Sequence, residues 1–270
     1  MKKKYSLRFK VTAITVGVVL AAILSAAGLC FTVLQRESDR RSVEIMRLVG
    51  QDAGEVLNKY FDGIVQSVGM TANEAIDSLD SVELAKCGAG GGVSGQTART
   101  AEQQARLDAY LAAHCAEVQK SFSSVAGHTH GVITYYYCIN PEISENEHGF
   151  FYSRVGKAGF VEQPPLDART LDPSDMEHYC WYFSPIERGQ PSWIGPYLAH
   201  FLNEMQICSY VVPIYRAGTL IGLLGMDIPL DTLIEQIRPI QVYQTGFACL
   251  CDADGRIYYH PNIEKRASCR

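Results

Sequence analysis

Basic side chains are scarce along most of this chain. Of 24 Lys and Arg residues, five (Lys2, Lys3, Lys4, Arg8 and Lys10) fall in the first ten positions, which leaves 19 against 29 acidic side chains beyond them. With no basic surface left to neutralise phosphates, no nucleic-acid partner is expected. No nucleophile and base stand at a familiar catalytic spacing, so no catalytic site is expected. Metal-ligand patterns are also thin. His128-Thr129-His130 would put two imidazoles on one face of a strand with no further ligand nearby, and none of the nine cysteines shows the repeated close spacing of a zinc site. Asp252-Ala253-Asp254-Gly255 imitates the start of a calcium loop, but its glycine comes too early. Glu177-His178 has no partnering serine or cysteine. No metal or cofactor is therefore expected. With 270 residues, 47% hydrophobic and 20% charged, the chain can bury one sizeable core, which argues against disorder.

Charge is missing altogether from Val11 to Leu34. About 20 apolar residues cross a bilayer core as a helix, so 11–34 reads as a transmembrane segment. Residues 1–10 form a basic tail, whereas the charges just after the segment nearly cancel. The N-terminus is thus expected in the cytoplasm and everything from about residue 35 outside. A signal peptide cut near Ser25-Ala26-Ala27 is the competing reading. Against it, the apolar run continues through Leu29, Cys30, Phe31 and Val33, and Leu29 is too bulky for a lipoprotein cysteine at Cys30. No second apolar span follows, and the chain stops at Arg270, so the remainder of an intact protein is expected to be missing.

Residues 35–125 read as a long helix, a glycine-rich loop and a return helix. Val43, Ile45, Met46, Leu48, Val49, Val56, Leu57, Phe61, Ile64, Val65, Val68 and Ile76 recur at steps of three and four. Cys87-Gly88-Ala89-Gly90-Gly91-Gly92 breaks that pattern and predicts a mobile loop, and a second helix is expected from Thr97 to Phe122. Outside the cell, cysteines pair more readily. Cys87 and Cys115, on either side of the loop, are the first pair to test for a disulfide; the alternative is that the cysteines are small buried hydrophobes or free thiols.

From Gly131 the period changes to that of strands: Val132–Ile139, a partner at Gly149–Arg154, then Gln206–Tyr215 and Leu220–Ile228. Between them lie a polar region, 163–173, and a short helix started by Asp172, Pro173 and Ser174. Leu230–Ile237 reads as a helix, and Gly246–Pro261 as a hairpin around Asp254-Gly255. Residues 126–240 would form one lobe, and 241–270 the incomplete start of another.

The richest block runs from Tyr179 to Ile228. It holds both tryptophans, Trp181 and Trp193, with Tyr182, Gly195-Pro196-Tyr197, Ser209-Tyr210-Val211-Val212-Pro213-Ile214, and Gly222-Leu223-Leu224-Gly225-Met226-Asp227-Ile228. Together with Gly246-Phe247-Ala248-x-Leu250-x-Asp252-x-Asp254-Gly255-x-Ile257-x-x-His260-Pro261, this order resembles the double Cache domain of bacterial transmembrane receptors. The resemblance implies an α+β fold in which an antiparallel PAS-like sheet, flanked by helices, hangs on one long helix. It also implies a small-molecule site in the membrane-distal lobe, a homodimer through the long helices, and a cytoplasmic output of diguanylate cyclase, histidine kinase or chemotaxis type. Trp181, Tyr182, Tyr197 and Asp227 match the family's amino-acid-binding pattern. Tyr179 and Ala199 stand where that pattern has an arginine and an aspartate, so a free α-amino acid held in the usual way is not expected.

Read from chemistry, Asp227 closes a strand of small and apolar residues, where an unpaired charge is costly and a cationic or hydrogen-bonding ligand would relieve it. Its alternative role is capping the next helix. Trp181, Tyr182, Trp193 and Tyr197 would form an aromatic cage or plain core. Tyr135, Tyr137 and Tyr152 would line the opposite wall, with Arg154 available to a ligand's acid group or simply solvated. The function expected is extracytoplasmic sensing of a small molecule; the alternative is a membrane-anchored structural or adhesive surface protein with no pocket.

Overall fold

The computed structural model describes residues 7–86, 99–144, 146–252 and 254–263. The glycine-rich loop at 87–92, and with it Cys87, lies outside the described residues, so the proposed pairing with Cys115 is not decided. Cys115 itself is buried.

The chain divides into two compact units: residues 1–54 with 240–246, and residues 55–239 with 247–270. The first consists mainly of the N-terminal part of α1 (Leu7–Ser78). That part carries one stretch long and apolar enough to cross a membrane. Its side chains are open, as at Leu24 and Leu29, which is unfavourable in water and natural in lipid.

In the second unit α1 acquires an inward face, burying Ile64, Val68, Thr71, Ala72 and Ala75 at helical spacing. After α2 (Ser81–Lys86), α3 (Ala101–His128) starts on a capping box. Thr100 and Gln103 exchange side-chain and backbone hydrogen bonds there, satisfying donors that a helix start leaves unpaired. The return helix runs about six residues further than its expected end at Phe122, because Val125 and Ala126 continue the apolar stripe.

The sheet is antiparallel throughout, in the order β3-β2-β1-β6-β5-β4. Its strands are β1 (Thr134–Ile139), β2 (Gly149–Ser153), β3 (Val161–Gln163), β4 (Ser192–Ala199), β5 (Met205–Arg216) and β6 (Thr219–Pro229). Two of these escaped the sequence reading. β3 is a three-residue edge strand that enters the polar region only at Gln163. β4 is masked in the sequence because Gly195-Pro196 interrupts the alternation, which a register shift between Ile194 and Tyr197 absorbs; an edge position tolerates the missing N–H of proline. α4 (Met176–Arg188) follows Asp175 as N-cap, three residues beyond the start expected at Asp172. Asp172 instead closes a turn by accepting from the Ser174 N–H. Trp181 and Tyr182 are thus helical. α5 (Leu230–Ile237) stands where it was read. Beyond it, β7 (Gln241–Val242) pairs with β8 (Gly246–Phe247), and β9 (Leu250–Cys251) with β10 (Ile257–Tyr259) around the Asp-Gly turn.

Two cores result. One face of the sheet packs on α1, α3 and α5; the other packs on α4 and the segments around it. The central pair β1 and β6 lies so close that a Cβ at Gly222 would come 2.3 Å from the Cys138 carbonyl oxygen. Relief would require parting two paired backbones. Gly222→Ala is expected to cost about 2 kcal/mol. Gly225→Ala should cost less, because it meets only the phenol tip of Tyr136. Urea melts of the two variants test the order, and equal stability would refute it.

Candidate functional site

The register of the sheet aligns a polar row across its middle. Ser153 pairs with Thr134, Thr134 with Asp227, and Asp227 with Ser209. Thr134, Ser209 and Asp227 are each 0% exposed. The Asp227 carboxylate accepts from Ser209 Oγ at 2.6 Å and, through its other oxygen, from Thr134 Oγ1. Tyr197 extends the chain, its hydroxyl 2.9 Å from Ser209 Oγ. Since Ser209 spends its proton on Asp227, the tyrosine is the donor in that bond. Burial pushes the Asp227 carboxyl up to about 6, against the pull of the two hydroxyls. Asp227 is therefore neither unpaired nor a helix cap, although α5 begins only three residues later.

The same face carries Trp181 and Tyr182 from α4, and Tyr136 from β1. The rings of Trp181 and Tyr136 meet edge to face at 5.2 Å. Trp181, Tyr182 and Tyr197 are only 1, 5 and 6% exposed, so this face is shut to solvent. Two polar atoms buried here have no partner: the indole Nε1 of Trp181 and the hydroxyl of Tyr136. The hydroxyl lies beside Ser209 and near the Asp227 charge, outside hydrogen-bond geometry with either, and burial holds its proton on against the pull of Ser209. Pro185 adds a third irregularity, because it has no N–H to give to the Trp181 carbonyl one turn back. Buried donors left unpaired cost about 1–3 kcal/mol each.

The expected single cage is divided by the sheet. Strand alternation sends Tyr135, Tyr137 and Tyr152 to the face opposite Asp227, into the core with α1 and α3. Tyr135 stacks on Tyr152 at 5.0 Å and meets Phe122 at 5.2 Å, and the Tyr137 hydroxyl lies 3.2 Å from His114 Nε2. Trp193 belongs to that face too, packed on Phe61 at 4.8 Å and Tyr210 at 5.2 Å. Arg154 sits over the Phe160 ring at 4.8 Å. Tyr135, Tyr137, Tyr152 and Arg154 gather on the β1–β2 side of that face, Trp193 packs at its β4 edge, and all five lie away from Asp227. The tyrosine of β1 on the Asp227 face is Tyr136, which strand alternation sets opposite Tyr135 and Tyr137. Thr134 and Ser209 were missed; the available signal was a small hydroxyl residue amid aromatic and β-branched strand residues. A shallow recess lined by Ile139, Asn146, His148, Leu166 and Arg169 among others contains none of the expected residues.

Residues 121–235 match the family model described as methyl-accepting chemotaxis protein-like, first PDC sensor domain. Among curated proteins, the methyl-accepting chemotaxis protein McpA of Pseudomonas putida is 32% identical over 118 residues, 43% of this chain and 18% of that protein. The methyl-accepting chemotaxis protein PctB of Pseudomonas aeruginosa is 28% identical over 91 residues, 34% of this chain and 14% of that protein. The aligned region thus amounts to less than a fifth of either relative. Among solved structures, the ligand-binding domain of the Pseudomonas aeruginosa amino-acid chemoreceptor PctC in complex with GABA aligns with a TM-score of 0.46 at 18% identity, covering 81% of this chain and 74% of that one. An antiparallel sheet clasped between a long helix and a short aromatic one is the architecture the sequence resemblance implied, and residues 121–235, less than half of this chain, are similar to the first PDC sensor domain of methyl-accepting chemotaxis protein-like proteins.

Proposed function

We propose that this chain is the extracytoplasmic small-molecule sensing region of a membrane-bound signal-transduction receptor, and that the ligand is taken between α4 and the Asp227 row. The observation that carries this reading is the pair of unpartnered buried donors, Trp181 Nε1 and Tyr136 Oη, set over a buried carboxylate. Such atoms are costly in a face built only for packing. A guest with an acceptor for the indole N–H and a cationic or donor group toward Asp227 would satisfy them together. Tyr179 and Ala199 supply neither a guanidinium nor a second carboxylate, which argues against an α-amino acid gripped at both ends.

Binding would move α4 relative to the sheet, and a ligand that prefers one arrangement shifts the population of that arrangement. We place the N-terminus in the cytoplasm, residues beyond about 35 outside, and a second copy along the long helix, with a cytoplasmic output domain receiving the signal. The polar balance of residues 1–10 against those after Leu34 supports the orientation. The structural or adhesive alternative has no observation in its favour.

Thermal-shift screening of the whole chain in detergent against amines, amino acids and carboxylates tests the proposal. At least one compound should raise the Tm by several degrees, through preferential binding to the folded state. Trp181→Phe, which keeps the ring and removes the N–H, should lower that compound's affinity about tenfold, the worth of one hydrogen bond. A library without a single stabilising compound, or a shift untouched by Trp181→Phe and by Asp227→Asn alike, would sink it.

A further inference from the structure

At the outer end of α4 the fold gathers four side chains that neither the sensing reading nor the family match uses. Asp175, the N-cap of α4, lies 2.8 and 3.0 Å by its two oxygens from His178 Nδ1. His178 stacks on His200, ring centroids 3.5 Å apart and planes 16° from parallel. Glu204 touches both: its Oε1 contacts His200 Nδ1, and its Oε2 lies 3.9 Å from His178 Nε2. One donor atom from each of Asp175, His178 and His200 falls within 4.8 Å of the others. The turn carrying His200 and Glu204 is built for this approach at some cost, since Asn203 and Glu204 stand in succession at φ of 55° and 59°.

We propose that Asp175, His178, His200 and Glu204 form a site for a divalent transition-metal ion of the zinc class. Two imidazole nitrogens with carboxylate oxygens suit zinc and its neighbours, whereas calcium and magnesium demand oxygen alone. Donors on one zinc ion stand about 3–3.5 Å apart, given bonds of about 2.0–2.2 Å. Closing from 4.8 Å needs only side-chain rotation, for which His200 and Glu204, 46 and 52% exposed, have room. The hydrogen-bonded protons now between the groups would leave on binding. His178 lies one turn before Trp181 and His200 three residues after Tyr197, so the ion would tie α4 to the turn between β4 and β5. The ligands come from positions 175–178 and 200–204, a separation that hides the set from any search for close spacing.

The test is calorimetric titration of the metal-stripped chain in detergent with Zn²⁺ alone, and with Mg²⁺ for comparison. One Zn²⁺ should bind per chain, Mg²⁺ should not compete, and His178→Gln or His200→Gln should each weaken Zn²⁺ at least tenfold. Co²⁺ in place of Zn²⁺ should give visible absorption without a thiolate charge-transfer band, and the double variant should lose it. Metal-free melting of His200→Gln should match the wild type because the ring is at the surface; if His178→Gln fails to fold, Glu204→Gln takes its place. Absence of Zn²⁺ binding, or Zn²⁺ binding unchanged in the variants, or a Co²⁺–thiolate spectrum pointing to the cysteines, would overturn the proposal.

Discussion

Replacing Asp227 by Asn is expected to make the ligand-free protein more stable at pH 7 to 8. The side chain is wholly buried and its carboxyl is raised from 3.8 to about 6, chiefly by desolvation. Between those values the folded state holds a proton that the unfolded state has lost, so stability falls as pH rises. The loss is complete above about pH 6 and amounts to about 3 kcal/mol. Asparagine has the shape of the protonated acid and no charge to bury, and Ser209 and Thr134 can reorient around its amide. The variant should therefore melt roughly 6–12 °C higher at pH 8, while the gap closes toward pH 4. It should also lose its response to any ligand whose positive group meets the carboxylate, a trade of stability against function common at binding sites. Melting curves from pH 4 to 8 decide the matter. A variant less stable than the wild type at pH 8, or one with the same advantage at pH 4, would remove the basis for treating Asp227 as a carboxylate held at a cost.

The second large effect is expected at His114, on the opposite face. It is 4% exposed, with Nδ1 3.1 Å from Ser78 Oγ and Nε2 3.2 Å from the Tyr137 hydroxyl. Burial lowers its basicity from 6.5 to about 4. Here the sign reverses: between those values the unfolded chain binds a proton that the folded one refuses, so stability is complete above about pH 6.5 and falls by about 3 kcal/mol on acidification toward pH 4. His114→Gln keeps a donor and an acceptor and removes the titration. It should weaken the protein at pH 7 by about 1–2 kcal/mol for imperfect hydrogen bonds, and show little of the acid-dependent loss. An unchanged acid limb in the variant would show that His114 is not its source. Because the two windows overlap with opposite slopes, the contributions of Asp227 and His114 nearly cancel between about pH 4 and 6. The wild type should look almost indifferent to pH there, and each variant alone should expose the slope of the other.

How much of this was legible in advance depended on the range of the interactions. α5 was read to the residue, and β5 and β6 to within a residue or so, because long alternating or stepped runs leave little choice of period. The membrane-length apolar stretch needed only composition. β4 was hidden because a Gly-Pro pair denies the local pattern, while hydrogen bonds to β5 override it. The start of α4 slipped from Asp172 to Asp175, since both are good caps and only packing of Trp181 against Tyr136 selects one.

The candidate site divides in the same way. Asp227, Trp181, Tyr182 and Tyr197 were identifiable as residues from chemistry and resemblance. Which aromatics share their face was not. The period of two states that Tyr135 and Tyr137 oppose Tyr136, but not which of those faces meets α4. Thr134, Ser209, and the pairing of His178 with His200, depend on strand register and on a turn far along the chain, and no local rule contains either.

Propensity, period and hydropathy act over a few residues, and that range sufficed for the helices, for every long strand except β4, for the apolar stretch and for one acid in an apolar strand. The environment of that acid came only with the closed chain: two hydroxyls from neighbouring strands, and two buried donors without a partner on the same face. Burial and hydrogen bonding are properties of groups brought together from positions 134, 181, 209 and 227, and desolvation acts on a carboxylate only once the chain has closed around it.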